Sequence, residues 1–570
     1  MSRILLGPIV GHTDHESTRI WIRGRGSPTD FTLRISGIAG RFPFESTASE
    51  LEFGTAVAVA VGLRPEREYK YRVLYRGRTV PNGRGSFRTM PSPGSMADML
   101  FVTVSCCHNH EHGAPTELGA WGRLRDYIRE AKPRFLLMIG DQVYQEESID
   151  EADPGGADGT KRTIWNRHLD GGYSRARDRR RAIAMVETYQ RSWSREPIRE
   201  VLANIPVYMM WDDHDIRDGW GSWASESPTL AERYPHGEGI FRLYNEWFED
   251  ARDVFWHFQR AFYYPFSSGG VSTAIPRDGH ALPSRGSRRA MPIAFQCGRL
   301  AILILDSRGA RDLWREANPV LGDEQWGFID TYVSNLPSDV DALAIVTTVP
   351  IVASAPDNTS QQMLGDRNDD VEYFRRGDFA QIRDLEDKSG PDITTEVLIR
   401  GISSGLLAGG RLRDGIARAG RALNWKHTSI DDARDQWCNH FSRPEQEKLI
   451  RKAGEARLSN RLRSRPRGVF FIGGDLHSGG LFTVSVDRPD FTAQCLITSG
   501  VSQQNDSNAM VGILVDDAFE VAPGIHARLE DYTVIFNFGV SHILFSGGTP
   551  LMKNVVARQG DDAYLTLKLT

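Results

Sequence analysis

Six short, mostly apolar runs punctuate the chain: Leu100 to Val104, Phe135 to Ile139, Val207 to Trp211, Leu300 to Leu305, Leu343 to Val346 and Val469 to Ile472. Continuous apolar runs of this length read as strands buried on both faces, which requires a sheet covered by other layers. Longer amphipathic stretches separate them and predict helices at Leu118 to Ala131, Arg181 to Ala203, Phe241 to Phe262 and Asp323 to Ser334. Such a chain folds as an α/β domain with a layered core. Residues 267–289, rich in Gly, Ser and Arg, and a polar stretch at about 355–435 interrupt the pattern. Both read as insertions over the surface.

The first ninety residues obey a different period. Thr18-Arg-Ile-Trp-Ile-Arg, Phe31-Thr-Leu-Arg-Ile and Tyr69-Lys-Tyr-Arg-Val-Leu-Tyr alternate apolar with polar, as half-buried strands do. Residues 1–92 therefore predict an antiparallel sandwich, joined by Pro91-Ser-Pro-Gly-Ser-Met to the larger domain, 98–570. At 570 residues, two units are the natural division.

Composition narrows the function. A formal net charge of -5 gives no broadly basic surface for nucleic acid, and the Arg-rich stretches Arg175 to Arg181 and Arg457 to Arg467 read as solvated faces. Five cysteines, an odd number that includes adjacent Cys106 and Cys107, do not suit a disulfide framework. No window approaches the roughly 18 apolar residues that a membrane span needs. Met1-Ser-Arg-Ile-Leu-Leu-Gly-Pro has no apolar core of the signal-peptide kind. The expectation is a soluble protein of a reducing, cytoplasmic compartment.

Polar clusters follow the apolar runs: Ser105-Cys106-Cys107-His108, Gly140-Asp141-Gln142-Val143-Tyr144, Asp212-Asp213-His214-Asp215, Asp306-Ser307-Arg308 and Gly473-Gly474-Asp475-Leu476-His477. In open α/β sheets the strand ends converge on the ligand, so five such clusters predict one shared site. The residue types suit metal ions. Asp141 has two oxygens and can bridge two cations about 3.5–4 Å apart. Tyr144, three residues on, offers a phenolate to a hard trivalent ion. Asp213, His214 and Asp215 offer an oxygen ligand, an imidazole and a carboxylate able to orient that imidazole. No Gly-x-Ser-x-Gly elbow follows a strand, so Ser105 is not read as a nucleophile.

The ordered set resembles the calcineurin-like metallophosphoesterase plan, and within it the PhoD-like (alkaline phosphatase D) family. The match rests on Ser105-Cys106, Gly140 to Tyr144, Trp211 to Asp215, Leu305 to Arg308 and Gly474 to His477, with similar words at Leu321 to Trp326 and Asp435-Gln436-Trp437. The resemblance implies a layered αββα sandwich with an N-terminal fibronectin-III-like module. It implies Asp141 as the bridging ligand, with Cys106, Tyr144 and His477 on an iron(III) side. Asp213 and Asp475 are implied on the side of a second, harder cation. His214 corresponds to the histidine that stabilises or protonates the leaving oxygen. Arg308 either neutralises phosphate charge or pairs with a loop carboxylate. The implied chemistry is hydrolysis of a phosphate monoester or diester, in which cations sharing a carboxylate acidify a water whose hydroxide attacks phosphorus in line.

Two departures from the wider superfamily bear on the metals. The first strand ends in Ser-Cys rather than Asp-x-His, and Asp475 replaces the first His of Gly-His-x-His. An oxygen-rich second site accepts Ca²⁺, Mg²⁺ or Mn²⁺, with Zn²⁺ as a further candidate, and calcium is the expectation beside iron. Cys107 competes with Cys106, since strand alternation points one of the pair into the site. His110, Glu111 and His112 add further potential ligands or substrate contacts. The expected partner is a small-molecule or polymer-end phosphate ester. A catalytically silent binding module and a metallohydrolase of other esters are the competing readings.

Overall fold

The alternating N-terminal segments pair into two four-stranded sheets. Their strands are β1 (Ile4–Thr13), β2 (Ser17–Gly24), β3 (Phe31–Ile35), β4 (Phe42–Pro43), β5 (Glu45–Ser46), β6 (Thr55–Val61), β7 (Glu68–Tyr75) and β8 (Arg78–Arg88). The orders are β1-β2-β6-β5 and β4-β3-β7-β8. Ile20, Ile22, Leu33, Val73 and Phe87 fill the space between them. This computed structural model describes residues 3–47, 53–109, 118–153, 161–173, 179–263, 284, 286–358, 368–387, 430–458, 467–503, 515–533, 535–545 and 550–558.

The six apolar runs become the middle of two larger sheets. β9 (Met99–Val104), β10 (Leu136–Ile139) and β11 (Val207–Met210) run parallel, and β9 also pairs antiparallel with β20 (Asn537–Leu544), which pairs with β21 (Leu551–Arg558). In the second sheet β13 (Leu300–Ile304), β14 (Ala342–Val346), β15 (Gly468–Gly473) and β17 (Asp490–Thr498) are parallel. β12 (Ile293–Cys297), β16 (Gly479–Asp487), β18 (Ala518–Ala522) and β19 (Ile525–Thr533) complete it as antiparallel members.

Side-chain alternation explains the layering. Phe101, Ile302, Ala344 and Phe470 share one core between the sheets, where Phe101 and Phe470 lie 6.4 Å apart. Leu303, Ile345 and Phe471 face the other way, onto Trp326 and Ile329 of helix Gly322–Ser334 and Leu449 and Ala453 of helix Arg443–Leu458. Leu124 of helix Trp121–Ala131 and Met185 of helix Arg179–Trp193 cover the first sheet. The result is a mixed α/β, helix–sheet–sheet–helix arrangement with an all-β N-terminal region. Among the described residues no helix is long and apolar enough to cross a membrane.

Several expectations need correction. The helix predicted over Arg181 to Ala203 is two, Arg179–Trp193 and Ile198–Leu202, because Pro197 lacks an N–H and its ring blocks the preceding turn. The helix predicted from Phe241 begins at Glu238 and ends at Phe258, followed by a short 3₁₀ turn, Arg260–Tyr263. Arg181 and Arg467 are fully buried rather than on solvated faces. Arg181 donates to Asp250 at 2.7 Å and Arg467 to the carbonyl of Val340 at 2.9 Å. Residues 175–178 and 459–466 of those stretches lie outside the described residues. So do 267–283 and 285 of one insertion, and 359–367 and 388–429 of the other. The described part of the second packs one face inward, with Asp370, Phe374, Ile382 and Arg434 buried and Arg434 and Asp370 paired at 2.8 Å, while Asp369, Arg375, Arg376 and Gln381 are exposed.

The N-terminal sheets are seated on the end of helix Glu238–Phe258. Trp21 Nε1 donates to the carbonyl of His257 at 2.9 Å, and its ring meets Phe258 and Phe262 edge-on. A Cβ on Gly11 would lie 2.5 Å from the Phe262 carbonyl, so only glycine allows this approach. His257 Nδ1 lies 2.9 Å from Thr47 Oγ1 and 3.0 Å from Thr55 Oγ1. Burial pushes this imidazole down from 6.5 to about 4, so folding favours its neutral form. Stability from this group is complete above pH 6.5 and is lost as pH falls through 4, on the order of 3 kcal/mol in all. Urea melts at pH 7 and pH 4.5 are expected to show this loss, and His257→Gln is expected to reduce the difference between them.

Candidate metal centre

All the parallel strands of each sheet point the same way, so their C-terminal ends bring the five polar clusters to a common edge. Gly474 fixes how closely the two sheets meet there. A Cβ at this position would lie 2.5 Å from Ser105 Oγ and 3.0 Å from the Ile139 carbonyl, joining the ends of β15, β9 and β10. Just past those ends the backbone turns sharply. Cys106, Asp141, Asp475 and His477 all have positive φ, between 50° and 66°. This left-handed conformation is rare for residues other than glycine and costs energy, and four examples around one point mark a functional site.

These turns aim the side chains. Cys106 Sγ lies 3.2 Å from Asp141 Oδ2 and 2.8 Å from Ser499 Oγ. Cys107 points the other way, into the core, where its sulfur is 4.0 Å from Gln142 Oε1. Of the two cysteines, Cys106 is therefore the one that faces the cluster. The Tyr144 hydroxyl is 3.0 Å from His477 Nε2. Ser499 Oγ accepts from the His477 amide at 2.7 Å and so holds the turn at Asp475 and His477.

Potential ligand atoms gather in overlapping groups, each within 4.8 Å: Cys106, Asp141 and His477; Asp141, Asp213 and His214; and Asp212, Asp213 and Asp475. Asp141 belongs to the first two, as a bridging carboxylate must. The third group already contains a cation, since Arg308 Nη2 lies 3.4 Å from Asp213 Oδ1 and 3.7 Å from Asp475 Oδ1. Arg308 also donates to Asp212 and to Asp435 Oδ1, the latter at 2.8 Å, and its side chain is fully buried. Of the two readings open for Arg308, the described contacts are those of a buried ion pair. Asp306 is spent on the loop itself, accepting from Trp211 Nε1 and from the amides of Met291, Arg308 and Gly309.

The electrostatics are those of a site short of positive charge. Burial, then Cys106 and Asp213, push Asp141 well above the usual carboxylate range. Burial, then Asp212 and Asp213, do the same to Asp475. Burial raises Asp212 to about 6 against the pull of Arg308. Burial also works against the charge of Asp213, yet Arg308 and His214 hold it down at about 2. Asp141 Oδ1, Asp212 Oδ2 and Asp213 Oδ1 are buried without a hydrogen-bond partner among the described residues. Unpaired buried carboxylate oxygens are costly, and a bound cation reverses the balance. The residues present therefore fit a metal centre.

One orienting group differs from expectation. Asp215 does not face His214; it accepts from the amides of Gln142 and Asp212 and from the Tyr189 hydroxyl, tying three segments together. The carboxylate at His214 Nδ1 is that of Glu146. His108 lies beside Glu147 at 3.0 Å, whereas His110, Glu111 and His112 lie outside the described residues. Sequence reasoning passed over Thr348 and Ser499, and noted Asp435 only as part of a family-like word, without a role. Thr348 donates to Asp212 at 2.7 Å. Thr347-Thr348 and Thr498-Ser499 end apolar strands just as the five clusters do, so the same rule would have found them.

A family model described as PhoD-like phosphatase matches residues 101–367. The curated proteins give no match. The solved structure of PhoD is 14% identical, with 98% of this chain and 94% of that chain covered and a TM-score of 0.51. Purple acid phosphatase PPD1 from yellow lupin (Lupinus luteus) seeds is 11% identical, with 98% of this chain and 75% of that chain covered and a TM-score of 0.45. PhoD shares the fold. Removing one partner from the buried carboxylate cluster leaves unbalanced charge, so Arg308→Met is expected to cost about 3–5 kcal/mol in denaturant melts of the metal-free protein. The matched segment carries four of the five strand-end clusters, and over it the chain is similar to PhoD-like phosphatases.

Proposed function

We propose that the chain is a metal-dependent phosphoesterase that hydrolyses a small-molecule or polymer-end phosphate monoester or diester by in-line attack of water. Cys106, Asp141, Tyr144 and His477 would hold iron(III). Asp141, Asp213 and Asp475 would hold a second, harder cation, calcium in our reading, with Mg²⁺, Mn²⁺ and Zn²⁺ as alternatives to be measured. The observation that carries the reading is the place of Asp141 in two ligand groups at once, with a buried oxygen, Asp141 Oδ1, that has no hydrogen-bond partner among the described residues.

Bound there, such ions supply positive charge that acidifies a water and screens the phosphate. The chain supplies the rest. Asp141 keeps the two groups in register, and the Cys106, Asp475 and His477 turns pre-set their side chains before any ligand arrives. His214 stands on the Asp213 side, its ring 4.0 Å from that of Tyr144, and serves the leaving oxygen. Arg308 holds Asp212, Asp213 and Asp435 together and acts on phosphate through them. Residues 1–92 are read as a fibronectin-III-like module that braces the catalytic part, a role supported by the Trp21 and Gly11 contacts.

Metal analysis of the purified protein is paired with assays on nitrophenyl phosphate and bis-nitrophenyl phosphate. Iron together with a divalent ion is expected, with hydrolysis of at least one ester. Asp141→Asn is expected to lose metal and to lower kcat by at least about 100-fold. Protein that stays inactive after metal reconstitution would overturn the reading in favour of a binding module. A visible tyrosinate-to-iron absorption, lost in Tyr144→Phe, checks the iron assignment separately.

A further inference from the structure

The loop after β10 does more than carry Asp141 and Tyr144. Its next residues close over His214. The amide of Gln145 donates to the His214 carbonyl at 3.0 Å. The Tyr144 ring lies against one face of the imidazole, with ring centroids 4.0 Å apart. Glu146 Oε1 sits in hydrogen-bond contact with His214 Nδ1. Backbone, ring face and one ring nitrogen of His214 are thus all held by three successive residues.

We propose that Glu146 is a positioning residue for His214. By accepting a hydrogen bond from Nδ1–H, its carboxylate fixes the ring rotation and leaves Nε2 as the nitrogen offered to the leaving oxygen. The other ring nitrogen, Nε2, lies 3.7 Å from Asp218 Oδ1, which belongs to a half-exposed side chain. A histidine with only a stacking contact could turn its ring over and present the wrong nitrogen. Glu146 removes that freedom, and because it belongs to the same loop as Asp141, it sets the imidazole relative to the bridging carboxylate as well. The inference rests on the phosphoesterase reading above, and it assigns a task to a residue that lies outside the Gly140 to Tyr144 word.

The test compares leaving groups in the metal-loaded full chain. Nitrophenyl phosphate leaves readily and needs little help from His214, whereas phenyl phosphate needs more; the bis esters give the same pair for a diesterase. Glu146→Gln is expected to lower kcat roughly 100-fold for the phenyl ester and less than about 10-fold for the nitrophenyl ester. KM and bound metal are expected to stay within about two-fold of the parent. Glu146→Asp, which keeps the acceptor on a shorter arm, is expected to recover part of the phenyl-ester rate, and it serves as the test variant where Glu146→Gln does not fold. Equal losses for the two esters would overturn the proposal, as would a fall in bound metal, which would make Glu146 a ligand instead. Failure of the parent protein to hydrolyse any of these esters would sink the phosphoesterase reading itself.

Discussion

Three buried aspartates, Asp141, Asp212 and Asp213, meet the partly exposed Asp475 at the place where two sheets end, and their mutual repulsion governs the surrounding design. Like charges that close in a low-dielectric setting neutralise, separate or acquire a counterion. Arg308 offsets part of the charge from inside the protein, and Asp435 in turn steadies Arg308. Asp141 Oδ1 and Asp212 Oδ2 are left without a hydrogen-bond partner among the described residues. An active site of this kind is an electrostatic deficit held open by its scaffold.

Holding it open costs backbone energy. Each left-handed residue among Cys106, Asp141, Asp475 and His477 carries a penalty of order 1 kcal/mol or more, persisting because the parallel strands on either side are fully buried and do not yield. Ser499 and the tight contact at Gly474 secure the same turns from the second sheet. The rigidity of the core is thereby transmitted to side chains one or two residues beyond it.

The sequence disclosed those parts of the structure whose physics is local or repetitive. Buried parallel strands have no polar alternation, so six of them stood out, and the clusters at their ends followed. β16, β18 and β19 did not stand out, because strands such as Ile525–Thr533 face solvent on one side and read as ordinary polar chain. Glu146 and Asp435 were equally silent as orienting groups, since neither follows an apolar run directly and each acquires its role only through a partner distant in sequence. Asp215 misled for the opposite reason: it adjoins His214 in the chain, yet the turn at Asp213 to Ile216 sends it inward to bind backbone amides.

The pairing of β9 with β20 has a consequence for how the protein comes into being. Phe101 lies opposite Ser541, so the strand that delivers Cys106 completes its sheet only with a partner about 440 residues later. Ser499, His477 and Asp475 are also late in the chain. During synthesis, the ribosome releases Asp141 and Tyr144 long before Asp475, His477 and Ser499, which lie beside the same cluster in the folded protein. The cluster is therefore assembled only when strands distant in sequence have paired, so its geometry depends on long-range contacts that form late.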